Sequence, residues 1–220
     1  MKRILVLVAC CTVLGFMVPN NQFSYLALGD SYTIGTAIGE QKAYPVLLLD
    51  SMKKGTPNFY ADVEVIAKNG WTTRDLLNGI TKEKPKGPYD MVSLLIGVNN
   101  QYQHLSKAEY RSEFTELLEK SIALAGGKKE NVFVISIPDY GVCPVAIDNL
   151  ESISPDIDAF NEINKSITDA MGVSYVDITE ISRTAKGNKE LIASDGLHFS
   201  AKMHELWVEE ILEKYMLGRF

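Results

Sequence analysis

The sequence contains little cysteine, with three residues of this type in a chain of 220. Cys10 and Cys11 lie in an apolar stretch near the amino terminus, so Cys143 has no cysteine partner in the remainder of the chain. The sequence therefore predicts a domain without an internal disulfide. Because no neighbouring residue in the sequence would activate the Cys143 thiol, we interpret it as a small packed side chain rather than a nucleophile.

Dense basic runs are lacking, and histidines are sparse. No dense run of Lys or Arg follows residue 3, and the formal net charge is -6, so the basic surface typical of nucleic-acid-binding proteins is excluded. Of the three histidines, His198 and His204 do not have the i, i+4 spacing of a helical metal pair, and no acidic cluster accompanies them. We therefore expect no metal and no other cofactor.

The first twenty residues differ in character from the rest. Two basic residues precede an apolar stretch at 4–18 and a polar exit follows, which is typical of a secretory signal. The stretch is short for a membrane span, which needs roughly 17–25 residues. An uncleaved membrane anchor and a lipoprotein lipidated at Cys10 are the alternatives. We predict an exported protein, periplasmic or extracellular, with 1–20 as signal peptide or anchor and 21–220 as one domain.

From residue 25 onward, short apolar runs alternate with segments of helical spacing. Strands that are apolar on both faces and joined by helices indicate a parallel sheet covered on both sides. Right-handed crossovers then favour a doubly wound, three-layer α/β/α sandwich. The predicted strands are 25–29, 63–67, 91–96, 132–135 and 173–177; the predicted helices are 45–52, 72–80, 107–125, 157–171 and 201–216, the last with Ser200 as its N-cap.

The residues that follow each predicted strand are candidates for chemistry, because ligands of such sheets bind at the carboxyl ends of the strands. Ser31 follows the first strand, where it can expose both its hydroxyl and its backbone N–H or can simply cap a turn. Gly70 follows the second strand and Asn99 the third. An amide at such a position can donate a hydrogen bond to an oxyanion, although Asn and Gly are also common in plain turns.

An acid and an imidazole lie close together before the last predicted helix. Asp195 and His198 are three positions apart. In one tight turn this spacing lets the carboxylate reach one ring nitrogen while the other nitrogen faces the cleft, which fixes the tautomer and stabilises the imidazolium that forms in catalysis. An isolated Asp-x-x-His is common, so the pair gains weight only in combination with Ser31.

Four short blocks in the chain resemble those that define the SGNH hydrolases, also called the GDSL esterase/lipase family: Gly29-Asp30-Ser31, Gly70, Gly97-x-Asn99 and Asp195-x-x-His198. The resemblance extends over most of the chain, from about Leu26 to about Trp207. It implies a flavodoxin-like, five-stranded version of the parallel sheet. It also implies a catalytic triad of Ser31, Asp195 and His198. The backbone N–H groups of Ser31 and Gly70 and the side chain of Asn99 would then form the oxyanion hole.

One position departs from the family pattern. The third block often ends in Asp, and this chain has Asn100 there. Because that Asp is usually structural in the family, we expect the exchange to weaken a local hydrogen bond rather than to impair catalysis.

The resemblance implies a serine ester hydrolase that acts through an acyl-serine intermediate on a small-molecule, glycan or lipid ester. Carboxylesterase, acyl-carbohydrate esterase and lysophospholipase activities all remain open. The chain lacks a lid-sized insertion, which favours small or exposed acyl groups. Four aromatic residues near strand ends are candidates for lining the cleft: Tyr32, Trp71, Tyr102 and Tyr140.

Two non-catalytic functions also remain open at this stage. A ligand-binding protein with the same sheet could hold a phosphate or flavin against residues 31–36, where hydroxyl-bearing and glycine residues cluster. A carbohydrate-binding protein could have lost its activity. The first alternative leaves Asp195 and His198 without a role, and the intact set of triad and oxyanion residues argues against the second.

Overall fold

A computed structural model describes residues 22–55 and 59–217 of the chain. The predicted signal peptide or anchor at 1–20 lies outside the described residues, so export and membrane attachment stay predictions. Among the helices that the structure describes, none is long and apolar enough to cross a membrane.

The described residues form a five-stranded parallel sheet with the strand order β2-β1-β3-β4-β5. This order places β1 and β3 side by side at the centre, so the two chain segments that follow them emerge next to each other. The predicted flavodoxin-like, doubly wound fold is therefore confirmed. The strands are β1 (Phe23–Gly29), β2 (Ala61–Ala67), β3 (Met91–Leu95), β4 (Val132–Ile135) and β5 (Ser174–Val176).

Helices cover both faces of this sheet. The main helices are α2 (Tyr44–Gly55), α3 (Thr73–Glu83), α5 (Lys107–Leu124), α6 (Leu150–Met171) and α8 (Ala201–Ile211), and the short ones are α1 (Ser31–Ile34), α4 (Val98–Tyr102) and α7 (Thr179–Arg183). Helices α2 and α8 pack against each other in one layer, whereas α5 packs between α3 and α6 in the other. Because both faces are covered, every residue of β3 and β4 is buried, which explains their continuous apolar character.

Side chains at the helix ends account for where several helices begin. The hydroxyl of Thr72 accepts a hydrogen bond from the backbone N–H of Asp75, and the Asp75 carboxylate accepts one from the N–H of Thr72, which together form a capping box at α3. Ser200 caps α8 by accepting from the N–H of Met203, as predicted. These contacts satisfy N–H groups that a helix start leaves without an intrahelical acceptor.

The start of α6 differs from the predicted one. The helix begins at Leu150, whereas the sequence pattern predicted a start at 157, after Pro155. Pro155 lies inside the observed helix and removes one of its hydrogen bonds, because proline has no backbone N–H to donate. Here the carbonyl that loses its partner belongs to Glu151, which is exposed, so water can satisfy it.

Gly29 lets β1 turn sharply into α1. A Cβ atom at this position would lie 2.5 Å from the carbonyl oxygen of Leu95 in β3 and 2.0 Å from the hydroxyl oxygen of Thr33. Only glycine allows this close approach. The turn therefore holds the first residue of α1, Ser31, directly over the carboxyl ends of the central strands.

Candidate active site

Residues from the four sequence blocks line one pocket at the carboxyl ends of the central strands. The pocket has a volume of about 290 Å³. Its lining includes four of the predicted site residues: Ser31, Gly70, Asn99 and His198. Asp195, the fifth predicted residue, does not line the pocket but contacts the imidazole from behind. The structure therefore brings together all five residues that the sequence singled out.

Asp195 holds the imidazole of His198 in a defined tautomer. The Nδ1 atom of His198 lies 2.6 Å from Oδ2 of Asp195. Because a carboxylate only accepts, Nδ1 carries the proton, and Nε2 is left as the basic nitrogen. The second carboxylate oxygen accepts the backbone N–H groups of Leu197 at 3.0 Å and of His198 at 2.9 Å. Both oxygens of Asp195 are therefore fixed.

These contacts keep Asp195 ionised. Partial burial by itself would raise the pKa of this carboxyl, but the backbone N–H groups of Leu197 and His198 and the His198 ring lower the pKa below its ordinary value. The carboxylate is thus negatively charged at neutral pH and can stabilise a positive charge on His198.

Ser31 is the first residue of α1 and is 6 % exposed, with its exposed atoms on the pocket wall. Its backbone N–H belongs to the first turn, where a helix leaves N–H groups without an intrahelical acceptor. In the described part of the chain no hydrogen bond joins the Ser31 hydroxyl to His198. Such bonds are often long in unliganded enzymes and tighten when substrate binds.

Asp30 anchors the turn that carries Ser31. Its side chain is fully buried and caps α1, with Oδ1 accepting the backbone N–H of Tyr32 at 3.1 Å. Oδ2 has no hydrogen-bond partner among the described residues. Burial raises the pKa of Asp30 to about 7, and the hydrogen bond from Tyr32 offsets only part of this effect.

Asp30→Asn is expected to flatten the pH dependence of stability. In the folded protein the pKa of Asp30 is about 7, whereas in the unfolded chain it is about 3.9. Between these values the folded state binds a proton that the unfolded state lacks, so stability falls as pH rises through this window and stays lower above it. Asparagine keeps an oxygen for the Tyr32 N–H and has no charge to bury.

The measurement is the free energy of unfolding by urea at several pH values from 5 to 8 for both proteins. The difference between them should grow with pH in favour of Asp30→Asn. Asp50→Asn, which changes an exposed carboxylate on α2, serves as the control and should follow the native curve. Parallel curves for the native protein and Asp30→Asn would contradict a buried carboxyl that titrates near neutrality.

Gly70 approaches the pocket from the turn after β2, and Asn99 approaches it from the first turn of α4. The Nδ2 atom of Asn99 donates to the carbonyl of Trp71 at 2.9 Å, which leaves its second N–H for a ligand in the pocket. Gly70 has a φ of +76°, a left-handed conformation that favours glycine. A Cβ there would have no described heavy atom within 4 Å, so the backbone of Gly70 is open to a ligand.

Asn100 makes two hydrogen bonds with Thr73. Its Oδ1 accepts the backbone N–H of Thr73 at 3.0 Å, and its Nδ2 donates to the Thr73 hydroxyl at 2.7 Å. The amide thus provides a donor where a carboxylate provides only acceptors, and the expectation that the exchange weakens a local hydrogen bond stays a prediction.

Three of the four aromatic candidates line the pocket: Tyr32, Tyr102 and Tyr140. Trp71 is not among the lining residues; its ring packs so closely over Gly79 of α3 that a Cβ there would lie 2.5 Å from it. The prediction missed Asn69, Val98 and Leu197, which also line the pocket. Asn69 lies two residues after the end of β2, and Val98 lies three residues after the end of β3, so their place after a strand was the signal that could have found them.

Cys143, which we interpreted as a packed side chain, is buried as expected, and so are two residues of α8. Cys143 is a buried free cysteine, and burial raises the pKa of its thiol to about 12, which makes it a poor nucleophile. Trp207 is fully buried on α8. His204 is also buried: it accepts the backbone N–H of Tyr44 at 3.1 Å, and burial together with the nearby His198 lowers its pKa to about 3. His204 is therefore a neutral core residue.

Two of the hydroxyl groups considered for a phosphate or flavin cradle are buried or already hydrogen-bonded. Thr33 is buried at 1 % exposure, and the hydroxyl of Thr36 donates to the side chain of Asn69. Among residues 22–55 and 59–217, no group of three or more His, Cys, Asp or Glu side chains could hold a metal ion.

Comparison with known proteins gives a family match over most of the chain. Residues 27–206 match the model of the GDSL-like lipase/acylhydrolase family. No curated protein sequence matches the chain.

Several solved structures share the fold. The lipase/acylhydrolase from Enterococcus faecalis has a TM-score of 0.65 at 24 % identity, with 90 % of this chain and 97 % of that chain covered. An acetyl xylan esterase from Geobacillus stearothermophilus has a TM-score of 0.67 at 19 % identity, covering 88 % and 94 %. The psychrotrophic esterase EstA from Pseudoalteromonas sp. has a TM-score of 0.65 at 17 % identity, covering 88 % and 97 %.

Proposed function

The chain belongs to the GDSL-like lipase/acylhydrolase family and is a hydrolase of carboxylic esters, and we propose that it acts through an acyl-enzyme formed on Ser31. The observation that carries this proposal is the 2.6 Å contact between Asp195 Oδ2 and His198 Nδ1 behind a pocket that Ser31 and His198 line together. This arrangement leaves the basic Nε2 of His198 on the side of the pocket.

In the proposed reaction His198 first acts as a base and then as an acid. Nε2 takes the hydroxyl proton of Ser31 while Oγ forms a bond to the ester carbonyl carbon. His198 then gives the proton to the alcohol oxygen as the carbon–oxygen bond to the alcohol breaks. Water, deprotonated by the same nitrogen, attacks the acyl-serine, and release of the carboxylic acid restores Ser31.

The oxyanion that forms in both steps is stabilised by three donors. These are the backbone N–H groups of Ser31 and Gly70 and the free N–H of the Asn99 side chain. Two of them are held in place before substrate arrives, because α1 begins at Ser31 and the Asn99 amide donates to the carbonyl of Trp71. Pre-positioned donors of this kind stabilise developing charge without reorganisation.

For the substrate, we propose an ester of a short acyl group with an uncharged, hydroxyl-bearing alcohol. The pocket beside Ser31 is small and mainly apolar, which suits a short acyl chain. A groove of about 560 Å³, lined by both polar and apolar side chains, adjoins it and shares Tyr102, Tyr140 and Leu197 with the pocket. The groove's carboxylate, Asp156, is already paired with Lys107, so neither of these two charges is free to attract a charged alcohol.

The acyl preference can be measured with a series of p-nitrophenyl esters. Acetyl and butyryl esters should give the highest kcat/KM, and decanoyl esters should give much lower values because the pocket is too small for their chains. Tyr140→Ala, which enlarges the pocket wall, should shift the preference towards longer chains. A native preference for decanoyl esters would contradict the proposed substrate class.

The nucleophile can be identified by labelling the folded protein with a fluorophosphonate and mapping the modified residue by mass spectrometry. We expect one label, on Ser31, because only a serine activated by a base reacts readily. His198→Ala should abolish labelling while circular dichroism shows a native fold, and heat-denatured protein should remain unlabelled. Labelling of another residue, or undiminished labelling of His198→Ala, would overturn the proposed mechanism.

A further inference from the structure

Asn100 joins the start of α3 to α4 through both atoms of its amide. Oδ1 accepts the backbone N–H of Thr73, and Nδ2 donates to the Thr73 hydroxyl. Both residues are buried, Asn100 at 1 % exposure and Thr73 at 0 %. The amide orientation is fixed because the backbone N–H can only donate, so the oxygen has to face it.

The Thr73 hydroxyl in turn donates a hydrogen bond to Glu113. Since the hydroxyl accepts from Asn100, its single proton is directed to Oε2 of Glu113 on α5. Oε1 of Glu113 accepts from Nε and Nη2 of Arg74, both at 2.9 Å. Donors and acceptors therefore alternate from Asn100 through Thr73 to Glu113, and every polar atom in this chain of bonds has a partner.

The same helix turn holds the two oxyanion donors. Asn99, which precedes Asn100, donates to the carbonyl of Trp71. Trp71 directly follows Gly70, and Thr73 lies two residues further on. Two consecutive residues of α4, Asn99 and Asn100, thus hold the segment 71–73. A displacement of α4 or of this segment therefore moves the Gly70 N–H and the Asn99 side chain together.

We propose that Asn100, Thr73 and Glu113 form a relay of hydrogen bonds that positions the Gly70 and Asn99 donors. Because the carboxylate of Glu113 already takes the proton of the Thr73 hydroxyl, residue 100 has to donate a hydrogen bond to that hydroxyl. These residues act through others and do not contact substrate. The inference rests on the proposed function, since it assigns Gly70 and Asn99 to the oxyanion hole.

The decisive experiment is a double-mutant cycle between positions 100 and 113. In Asn100→Asp, two carboxylates face one hydroxyl proton, so one of them loses its partner and the like charges repel. A misplacement of about 1 Å in an active site can cost about 10²-fold, so kcat should fall about 10- to 100-fold with KM little changed. Adding Glu113→Gln should restore most of kcat, because the glutamine amide can donate to Thr73, which then donates to the aspartate.

The matched control is Asn100→Asp combined with Glu116→Gln, which removes an exposed carboxylate of α5 that pairs with Lys120. This control should remain defective. The proposal would be overturned if Asn100→Asp had native kcat, or if Glu113→Gln and Glu116→Gln restored kcat equally. If Asn100→Asp does not fold, Thr73→Val, which removes the hydroxyl, should lower kcat, and Thr73→Ser should not; equal kcat values for that pair would overturn it too.

Two measurements separate failure of the relay from failure of the proposed function. The melting temperatures of the four proteins in the cycle should show the same rescue as kcat, and these do not depend on Ser31 being the nucleophile. Fluorophosphonate labelling of Ser31 in the native protein tests the nucleophile alone. If Ser31 is labelled but the effects of the changes at positions 100 and 113 simply add, only the relay is refuted. If Ser31 is not labelled but the change at position 113 rescues the change at position 100, only the catalytic assignment is refuted.

Discussion

Ser31→Ala is expected to lower kcat for an activated acetyl ester on the order of 10⁶-fold, because the loss of a catalytic nucleophile costs about as much as the loss of a whole triad. The methyl group of alanine leaves the Asp195–His198 contact and the oxyanion donors in place. Without Oγ, however, no acyl-enzyme can form, and water would have to attack the ester directly. The melting temperature should change little, because the Ser31 hydroxyl makes no hydrogen bond in the described part of the chain.

The measurement is steady-state hydrolysis of p-nitrophenyl acetate, with calorimetry to show that the variant is folded. Ser112→Ala is the matched control, since Ser112 lies on the exposed side of α5 and its loss should leave kcat unchanged. Near-native turnover by folded Ser31→Ala would remove Ser31 from the mechanism. Another residue would then have to act as the nucleophile. The thiol of Cys143 is a poor candidate, because it is buried and its pKa is raised.

The sheet could be predicted because its signal is local. Strands buried on both faces are continuous apolar runs, and the helices between them show their own spacing, so element type follows from neighbours in sequence. The boundary of α6 could not be predicted, because its tolerance of Pro155 depends on the exposure of Glu151. The single-turn helices α1, α4 and α7 were also missed, since one turn is too short to show a helical period.

The candidate site was predictable for a related reason. Ser31, Gly70 and Asn99 each follow a strand, and parallel strands end at one edge of a sheet, so topology alone brings these residues together. The relay through Thr73 could not be predicted from the sequence. The partners of Thr73 are 27 and 40 positions away, and their pairing depends on how α3, α4 and α5 pack. Hydrogen-bond direction, which decides between Asn and Asp at position 100, becomes visible only in the assembled structure.

Asp195→Asn is expected to move the ring proton of His198 from one nitrogen to the other, because the structure fixes how the asparagine amide has to be oriented. One oxygen of Asp195 accepts two backbone N–H groups, from Leu197 and His198. These groups can only donate, so an asparagine has to turn its oxygen towards them and its NH₂ towards Nδ1 of His198. Nδ1 must then accept, which moves the ring proton to Nε2, the nitrogen that should take the proton from Ser31.

We therefore expect kcat for Asp195→Asn to fall on the order of 10⁴-fold, the loss seen when a triad histidine is held in the wrong tautomer. KM should change little, because the pocket residues that contact the ester are untouched. Asp50→Asn on the exposed surface of α2 is the control for the chemical change and should retain native kcat. A histidine with ¹⁵N-labelled ring nitrogens would report the proton on Nδ1 in the native protein and on Nε2 in Asp195→Asn. A variant with native kcat and the proton on Nε2 would show that Nε2 is not the base, and the acid–base role of His198 would have to be abandoned.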